Sequence, residues 1–580
     1  MDIFKKLSYI FDKKQKKQFA ALTVMLLVGG ILETMSFGAL IPVISLIINE
    51  EAVAQNEKVQ KIMNFLHIES IGSIMIPLLF TIMVLFVLKN IFILWSVNQK
   101  AKFIATNRNK LISRVLREFL NRPYEFYLDA DIPTVFRLTD SDIPNVFGML
   151  MAITSLISEA VVVVLLGTTL VAIDFKLTVF MVVVLAIMSV VVSKILEPRV
   201  NKIGQKNQET QSRIAKWRIE AIYGIKDVKV LHRENFFADS YEETGKVGAV
   251  YSKDYSVMNS LPRLLIETVF IVCILGYIIV YELSGNSVSQ LVTMISALGV
   301  AGIKLLPSVN RINTYLTEIA YYRPCLDYVY ENLNINALNE KNNPMIEAKN
   351  PDAKLSLKNE ISLSGIVYAY PNTDKLIFDH AKMSIPYGKS VGIMGPSGAG
   401  KSTIVDILLG LLRLQEGSIT CDGVDVFDNY PAWLAQIGYI PQSIYLIDEP
   451  IRNNIAFGIA DEAIEDARVW QVLEEAQMKE FVESLPQGLD TTIGDRGVRL
   501  SGGQRQRLGI ARALYHNPEI LVFDEATSAL DNDTEAAVME AINSFHGKKT
   551  MVIIAHRLNT IEKCDIIYKV DEGKITEVTL

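Results

Sequence analysis

Hydrophobic residues are spread unevenly along the chain, and their spacing separates it into two kinds of structure. Over the first ~310 positions they gather into six stretches, near 19–48, 74–97, 147–173, 177–196, 264–281 and 288–306. Each approaches or exceeds the ~20 residues an α-helix needs to cross the hydrocarbon core of a bilayer. Six such runs in one half of a chain argue against buried helices of a soluble fold. The first run is too long and begins too late for a secretory signal peptide, and no small-residue cleavage site follows its apolar core. Near 98–146 and 197–260 the chain is charged but keeps a helical period, so the membrane helices should continue beyond the bilayer. The remainder has the make-up of a soluble α/β domain. A polar, asparagine-rich stretch with Pro344 and Pro351 separates the two and reads as a linker. The predicted organisation is a membrane domain over 1–330, a linker over 331–357 and an α/β domain over 358–580.

Charge orients the spans. Lys5, Lys6, Lys13, Lys14, Lys16 and Lys17 precede the first, and the segment after the second carries Lys100, Lys102, Arg108, Lys110, Arg114, Arg117, Arg122 and Arg137. The loop after the first span is acidic, with Glu50, Glu51, Glu57 and Glu69, and the links at Asp174 and at 282–287 are short. Both termini and the two long loops are therefore expected to be cytoplasmic. In the first external loop Val59, Ile62, Met63 and Leu66 recur at i, i+3, i+4 and i+7. That pattern predicts an amphipathic helix, lying on the outer membrane surface or packed on the protein's own rim.

Composition adds exclusions. Half of the 580 residues are hydrophobic and the mean hydropathy is +0.27, too apolar for an ordinary soluble enzyme; the net charge of −7 points to no nucleic-acid partner. Cys273, Cys325, Cys421 and Cys564 lie far apart without C-x-x-C spacing, so neither a disulfide framework nor a zinc site is expected.

The strongest chemical signal is the run from Gly395 to Thr403, which fits G-x-x-x-x-G-K-[ST]. It follows an apolar run at 389–394 that reads as a buried strand and precedes the opening of a helix, the context such a phosphate-binding loop requires. Gly395, Ser397, Gly398 and Gly400 let backbone N–H groups curl around phosphate oxygens. Lys401 reaches the β- and γ-phosphates, Ser402 holds Mg²⁺, and Thr403 opens the helix. A second apolar strand, 520–524, ends in Asp524, a further Mg²⁺ ligand, and Glu525 beside it is placed to polarise an attacking water as general base.

Leu500-Ser501-Gly502-Gly503-Gln504 lies between these two motifs and resembles the signature of ABC ATPases. The resemblance extends over nearly the whole chain, six spans followed by one ATPase domain looking like an ABC exporter half-transporter. It implies an α-helical polytopic membrane domain (six transmembrane helices, ABC exporter type) followed by an α/β P-loop ABC ATPase domain, with ATP and Mg²⁺ as cofactors. Motif by motif, it assigns Tyr370 to stacking on adenine, in preference to Tyr368, and Gln442 to the loop that touches Mg²⁺. It also assigns Asp531, in Ser528-Ala529-Leu530-Asp531, to the D-loop, and His556 to the switch histidine at the γ-phosphate. Gly494-Asp495-Arg496-Gly497 resembles the exporter X-loop, with aspartate where glutamate is commoner. Because nucleotides in this family are sandwiched between the P-loop of one domain and the Ser501–Gln504 type of signature of another, the resemblance implies a homodimer. It further implies coupling helices at 122–127 and 220–227, and residence in a bacterial plasma membrane.

Substrate is addressed by charges in or beside the spans: Lys89, Arg263, Lys304 and Arg311, with Glu33, Glu159 and Glu267. Such residues cost ~2.5–3.5 kcal/mol on insertion scales and tend to face a cavity or pair. Arg263 and Glu267, at i and i+4, could neutralise one another, and Lys89 and Arg311 could snorkel. A basic belt would suit a pyrophosphate headgroup. Stretches 31–37, 261–263 and 306–312 resemble the bacterial flippase of lipid-linked oligosaccharides, although Lys89 and Lys304 stand where arginine is found there. The expectation is an ATP-driven flippase of polyprenyl-pyrophosphate-linked oligosaccharide. An exporter of lipids or hydrophobic drugs, and an ATP-gated channel or regulatory receptor on the same fold, are the alternatives.

Overall fold

The computed structural model describes residues 2–39, 71–129, 132–171, 175–283, 288–340, 355–494, 497–526, 532–555 and 557–579. They form two compact units: 1–120 with 131–338, and 121–130 with 339–580.

The first unit is helical. A short α1 (Asp2–Ile10) precedes α2 (Lys13–Gly38) and α3 (Ile71–Leu120). In the second unit, α4 (Tyr124–Leu128) follows α3 in sequence. The first unit resumes with α5 (Ile143–Val171), α6 (Phe175–Tyr223), α7 (Glu234–Leu283) and α8 (Val288–Glu340). Among the described residues, four helices are long and apolar enough to cross a membrane: Lys13–Ser36, Ile76–Leu120, Ile132–Thr168 and Glu234–Val280. Helices α3, α6, α7 and α8 are 49 to 53 residues long. At 1.5 Å per residue each spans roughly 75 Å, well over twice the ~30 Å hydrocarbon core. The charged segments at 98–120 and 197–260 are thus largely continuations of the membrane helices, as their periodicity predicts. The amphipathic helix expected around 53–66 lies outside the described residues.

One expectation is overturned. The linker does not begin at 331, because α8 continues to Glu340. Leu333 is 1% exposed, and Asn332 turns its amide onto the carbonyl of Tyr328 within the helix (3.0 Å). Asparagine content misled because a side-chain bond to the previous turn lets the residue sit inside a helix. Residues 341–354 lie outside the described part.

The second unit holds two sheets. An antiparallel sheet of β1 (Glu360–Ala369), β2 (Leu376–Pro386), β4 (Glu416–Cys421) and β5 (Val424–Asp425) has the order β2-β1-β4-β5, and a six-stranded sheet that includes β6 (Ile437–Ile440), β9 (Ile566–Asp571) and β10 (Lys574–Val578) runs β10-β9-β3-β8-β7-β6. In the latter β3 (Ser390–Met394), β8 (Thr550–Ile554) and β7 (Ile520–Asp524) are adjacent and parallel. Every residue of β7 and β8 is buried, as expected of a parallel sheet covered on both faces. All four cysteines are free thiols.

Candidate functional site

Parallel pairing brings the chemistry together. Ile393 and Asp524 pair with the same residue of β8, Ile554, from opposite sides. The loop leaving β3 and the carboxylate ending β7 therefore meet at one edge of the sheet. The loop closes into α9 (Lys401–Leu408), with Gly400 at the helix N-cap in the left-handed region, φ 101°. A Cβ there would stand 2.9 Å from Ile377, and one on Gly395 only 2.4 Å from the carbonyl oxygen of Val570. Both positions demand glycine on conformational or steric grounds. Ser397 and Gly398 complete the loop, exposed at its crest.

Lys401, 5% exposed, donates to the carbonyls of Gly395 (3.1 Å) and Pro396 (3.0 Å), which draws its ammonium back over the loop. Ser402 Oγ lies 3.5 Å from Asp524 Oδ1. Gln442 donates through Nε2 to Glu525 Oε2 at 2.8 Å. Asp524, Glu525, Ser402 and Gln442 thus form one chain of contacts from the first turn of α9 to the end of β7. Glu525 has φ 49°, a conformation unusual for a non-glycine residue, with its N–H on the carbonyl of Ile554 (3.2 Å). Strain of this kind costs on the order of 1–3 kcal/mol and persists where the surroundings impose a useful orientation.

Burial, reinforced by the neighbouring Glu525 carboxylate, raises the pKa of Asp524; hydrogen bonds from Ser402 and Tyr439 oppose that rise. Asp406, on α9, is pushed up to about 6, by burial first and then by Asp524. Carboxylate and hydroxyl oxygens converging where anionic charge is disfavoured are the hard donors Mg²⁺ takes, with its remaining positions left to water and phosphate. Ser402 and Asp524 fit that ion, and Gln442 reaches the adjoining Glu525. No cluster of three or more histidine, cysteine or carboxylate ligands occurs among the described residues.

Tyr368 is 1% exposed in the core, whereas the half-buried Tyr370 packs edge-on to it and shares a 2.9 Å hydrogen bond with Thr403 Oγ1. Tyr370, the residue that follows the strand ending at Ala369, is therefore the aromatic beside the phosphate loop. Ser501 caps α10 (Gly502–Leu514): its Oγ accepts from Gln504 N (3.2 Å), and Gln504 Oε1 accepts from Ser501 N (2.8 Å). This reciprocal box leaves Gly502 and Gly503 as the first residues of a rigid helix N-terminus. Asp531, His556 and the Asp495-Arg496 pair lie outside the described residues.

Sequence motifs did not single out four further contacts. Gln506 Nε2 donates to the carbonyl of Gln442 (3.0 Å), tying α10 to the glutamine loop. Tyr439 contributes the hydrogen bond to Asp524. The carboxylate of Glu125, on α4, accepts from the backbone of Arg413 (2.7 Å), and Asp129 accepts from Asn372 (3.1 Å). The first coupling-helix stretch therefore packs within the nucleotide unit. The second falls at the end of α6 and a short helix, Ile225–Val230, with Ile222 70%, Tyr223 62% and Val230 69% exposed.

The membrane charges divide. Arg311 Nε pairs with Glu159 at 2.7 Å, joining α8 to α5. A charge beside the spans thus has a carboxylate partner within the bundle. Lys89 is 8% exposed, with its ammonium over the Phe86 ring at 4.5 Å. Arg263 and Glu267 are both exposed, and the described contacts include no ion pair between them. Lys304 lies on α8, and its side chain is outside the described part.

The profile described as "ABC transporter" matches residues 378–528, and "ABC transporter transmembrane region" matches 20–301. The ATP-dependent lipid A-core flippase of Pseudomonas aeruginosa is 31% identical over 439 residues, 73% of this chain and 69% of that protein. Its namesake from Vibrio cholerae is 42% identical over 219 residues, a match spanning 38% of each chain. Among solved structures, a bacterial Atm1-family ABC exporter with ATP bound shares the fold, with a TM-score of 0.69 over 98% of this chain and 95% of that one at 22% identity. A membrane region and a nucleotide unit with this motif order, aligned to one relative over most of both lengths, place the chain in the ABC transporter family, as an exporter-type half-transporter.

Proposed function

We propose that two copies of this chain form an ATP-driven flippase of the bacterial plasma membrane, with ATPase domains and termini cytoplasmic. The observation that carries the ATP-driven reading is the contact chain Ser402–Asp524–Glu525–Gln442 beside Lys401. In this reading the loop N–H groups and Lys401 bind the β- and γ-phosphates, and Tyr370 stacks on adenine. Glu525 takes the proton of the attacking water, Gln442 orients Glu525, and His556 meets the γ-phosphate. Magnesium, held by Ser402 and Asp524 with Gln442, would neutralise phosphate charge in the transition state. Ser501, Gly502, Gly503, Gln504 and Asp531 would complete the site across the dimer. The exposed apolar tip at Ile222, Tyr223 and Val230 supports a second copy as the partner.

For the substrate we favour a polyprenyl-pyrophosphate-linked oligosaccharide. Relatives named as lipid A-core flippases support a large anionic glycolipid class, and Lys89, Arg263 and Lys304 would supply cations for the pyrophosphate. The Arg311–Glu159 pair favours the second reading, an exporter of less charged lipids or hydrophobic drugs. ATPase rate in lipid nanodiscs, measured against added polyprenyl-pyrophosphate glycan, separates them. In the first reading the glycan stimulates the wild type. Lys304→Ala should then raise the half-stimulating concentration about tenfold, the worth of one charge-assisted hydrogen bond. Glu159→Ala/Arg311→Ala, which removes both charges together, should leave it near wild type. Stimulation by simple lipids or amphipathic drugs instead would move the substrate to the second reading.

Coupling gives a further expectation. Glu125→Ala/Asp129→Ala should keep nucleotide affinity but lose most substrate stimulation, because it cuts two hydrogen bonds that tie the α4 segment to its unit. Nucleotide titration and ATPase assays on one preparation check this; stimulation at the wild-type level would remove α4 from the coupling path.

A further inference from the structure

Helices α2 and α3 leave a groove of about 700 Å³ at the end of the bundle where the chain is most basic. Its upper walls are apolar: Met25 and Val28 on one side, Phe92 and Trp95 on the other. Val28 is 39% and Trp95 50% exposed, so the walls are open at the depth of the apolar runs. Gly29 contributes to the narrow helix contact, its missing Cβ leaving Phe92 at 3.7 Å. The lower end is polar, with Gln18 and the exposed Lys102 at the mouth. Asn107, 2% exposed, floors it, donating to the carbonyl of Phe103 (2.9 Å) and accepting from Gln15 (3.2 Å). No lining residue is acidic, and Lys13, Lys14, Lys16 and Lys17 on the first turns of α2 are exposed nearby in sequence.

An apolar slot at membrane depth that ends in an amide-and-lysine mouth matches one kind of molecule on both counts. We propose that the groove seats a resident anionic phospholipid of the leaflet at the basic end of the spans. One acyl chain lies between Met25/Val28 and Phe92/Trp95, and the headgroup phosphate rests at Lys102 and Gln18. The slot is walled by two consecutive helices of one chain, so the lipid acts as a filler that fixes their separation. It is distinct from transported cargo. Charge complementarity selects the headgroup, because a zwitterionic lipid fills the slot equally well but gains less at Lys102 and the α2 lysines.

Trp95 offers a direct probe. The other three tryptophans, Trp217, Trp433 and Trp470, belong to the cytoplasmic extension of α6 or to the nucleotide unit. In vesicles of mixed lipid, phosphatidylglycerol brominated on its acyl chains should quench Trp95 at about fivefold lower mole fraction than brominated phosphatidylcholine. Fivefold is the worth of one lysine near an anionic surface. Trp95→Phe should abolish the quenched component. Lys102→Ala should keep the quenching and lose the preference, and Lys102→Arg should retain it. Ala21→Phe, which adds a ring to the lining, should weaken quenching by both lipids. Equal quenching by the two lipids in the wild type would overturn the proposal in favour of unselective bulk lipid. A Trp95 that neither lipid quenches would overturn it too, by showing a protein surface, such as a second copy, over the groove.

Discussion

Glu525→Gln is expected to bind ATP as tightly as the wild type and to hydrolyse it about 10³-fold more slowly, within the 10²–10⁴ range of a lost general base. The substitution is nearly isosteric. Gln442 still has an acceptor in the new amide, at the position where Nε2 now meets Glu525 Oε2 at 2.8 Å. The backbone constraint also survives, since φ 49° and the bond to Ile554 are set by the strand end and not by the carboxylate. What disappears is the proton acceptor. Binding of a fluorescent ATP analogue and single-turnover hydrolysis on the same protein separate affinity from chemistry. Residual hydrolysis within about tenfold of wild type would remove Glu525 from the role of base. A variant that still moved substrate at full rate over many turnovers would restore the reading of a channel or receptor.

Gly204→Val should lower the thermal midpoint by about 10 °C, from a cost of roughly 3 kcal/mol for forcing a side chain into a packed crossing. Gly204 lies on α6 where that helix meets α8. A Cβ there would stand 2.3 Å from the backbone oxygen of Tyr321, an atom that cannot rotate aside. The crossing is pinned on both sides: Asn201 donates to the carbonyl of Ala320 (3.3 Å), and Asn207 to the hydroxyl of Tyr321 (2.9 Å). The Tyr321 ring stacks on Tyr255 of α7 with centroids 3.9 Å apart. Val200 is fully buried and Ala320 nearly so. The small residue and the side-chain bonds across the helices let the two backbones approach this closely. Gly245→Ala is the matched control, because nothing lies within 4 Å of the Cβ it would add. Denaturation of both variants in detergent tests the pair. An unchanged midpoint for Gly204→Val would mean that the two helices do not approach this closely.

The nucleotide chemistry was legible in the sequence because its information is local. A phosphate loop is specified by glycines and a lysine at fixed intervals between a strand and a helix, and Asp524-Glu525 by its place at the end of an apolar strand. Those intervals set backbone geometry directly, and Ser402 does come to 3.5 Å from Asp524. Tyr368 and Tyr370, two residues apart, would share a strand face; burial of Tyr368 in the core and the end of the strand at Ala369 leave Tyr370 at the phosphate loop. The long helices were legible from period and length. The linker was misread at 331–340, where composition competes with helix continuation and a buried Leu333 decides the outcome.

Composition, period and motif spacing by themselves determined a membrane-embedded helical half, an ATP-binding half and the position of the glycine-rich loop between strand and helix. Tertiary structure alone decided that Arg311 is held by Glu159, that Gln506 of α10 grips the carbonyl of Gln442, and that Gly204 marks a helix crossing. It also decided that α2 and α3 leave a groove with a lysine at its mouth. The physical reason is range. A motif acts through backbone dihedrals and hydrogen bonds within a few residues, which the order of residues encodes directly. A charge pair or a close approach depends on which helix faces meet, and that is settled by packing over the whole unit.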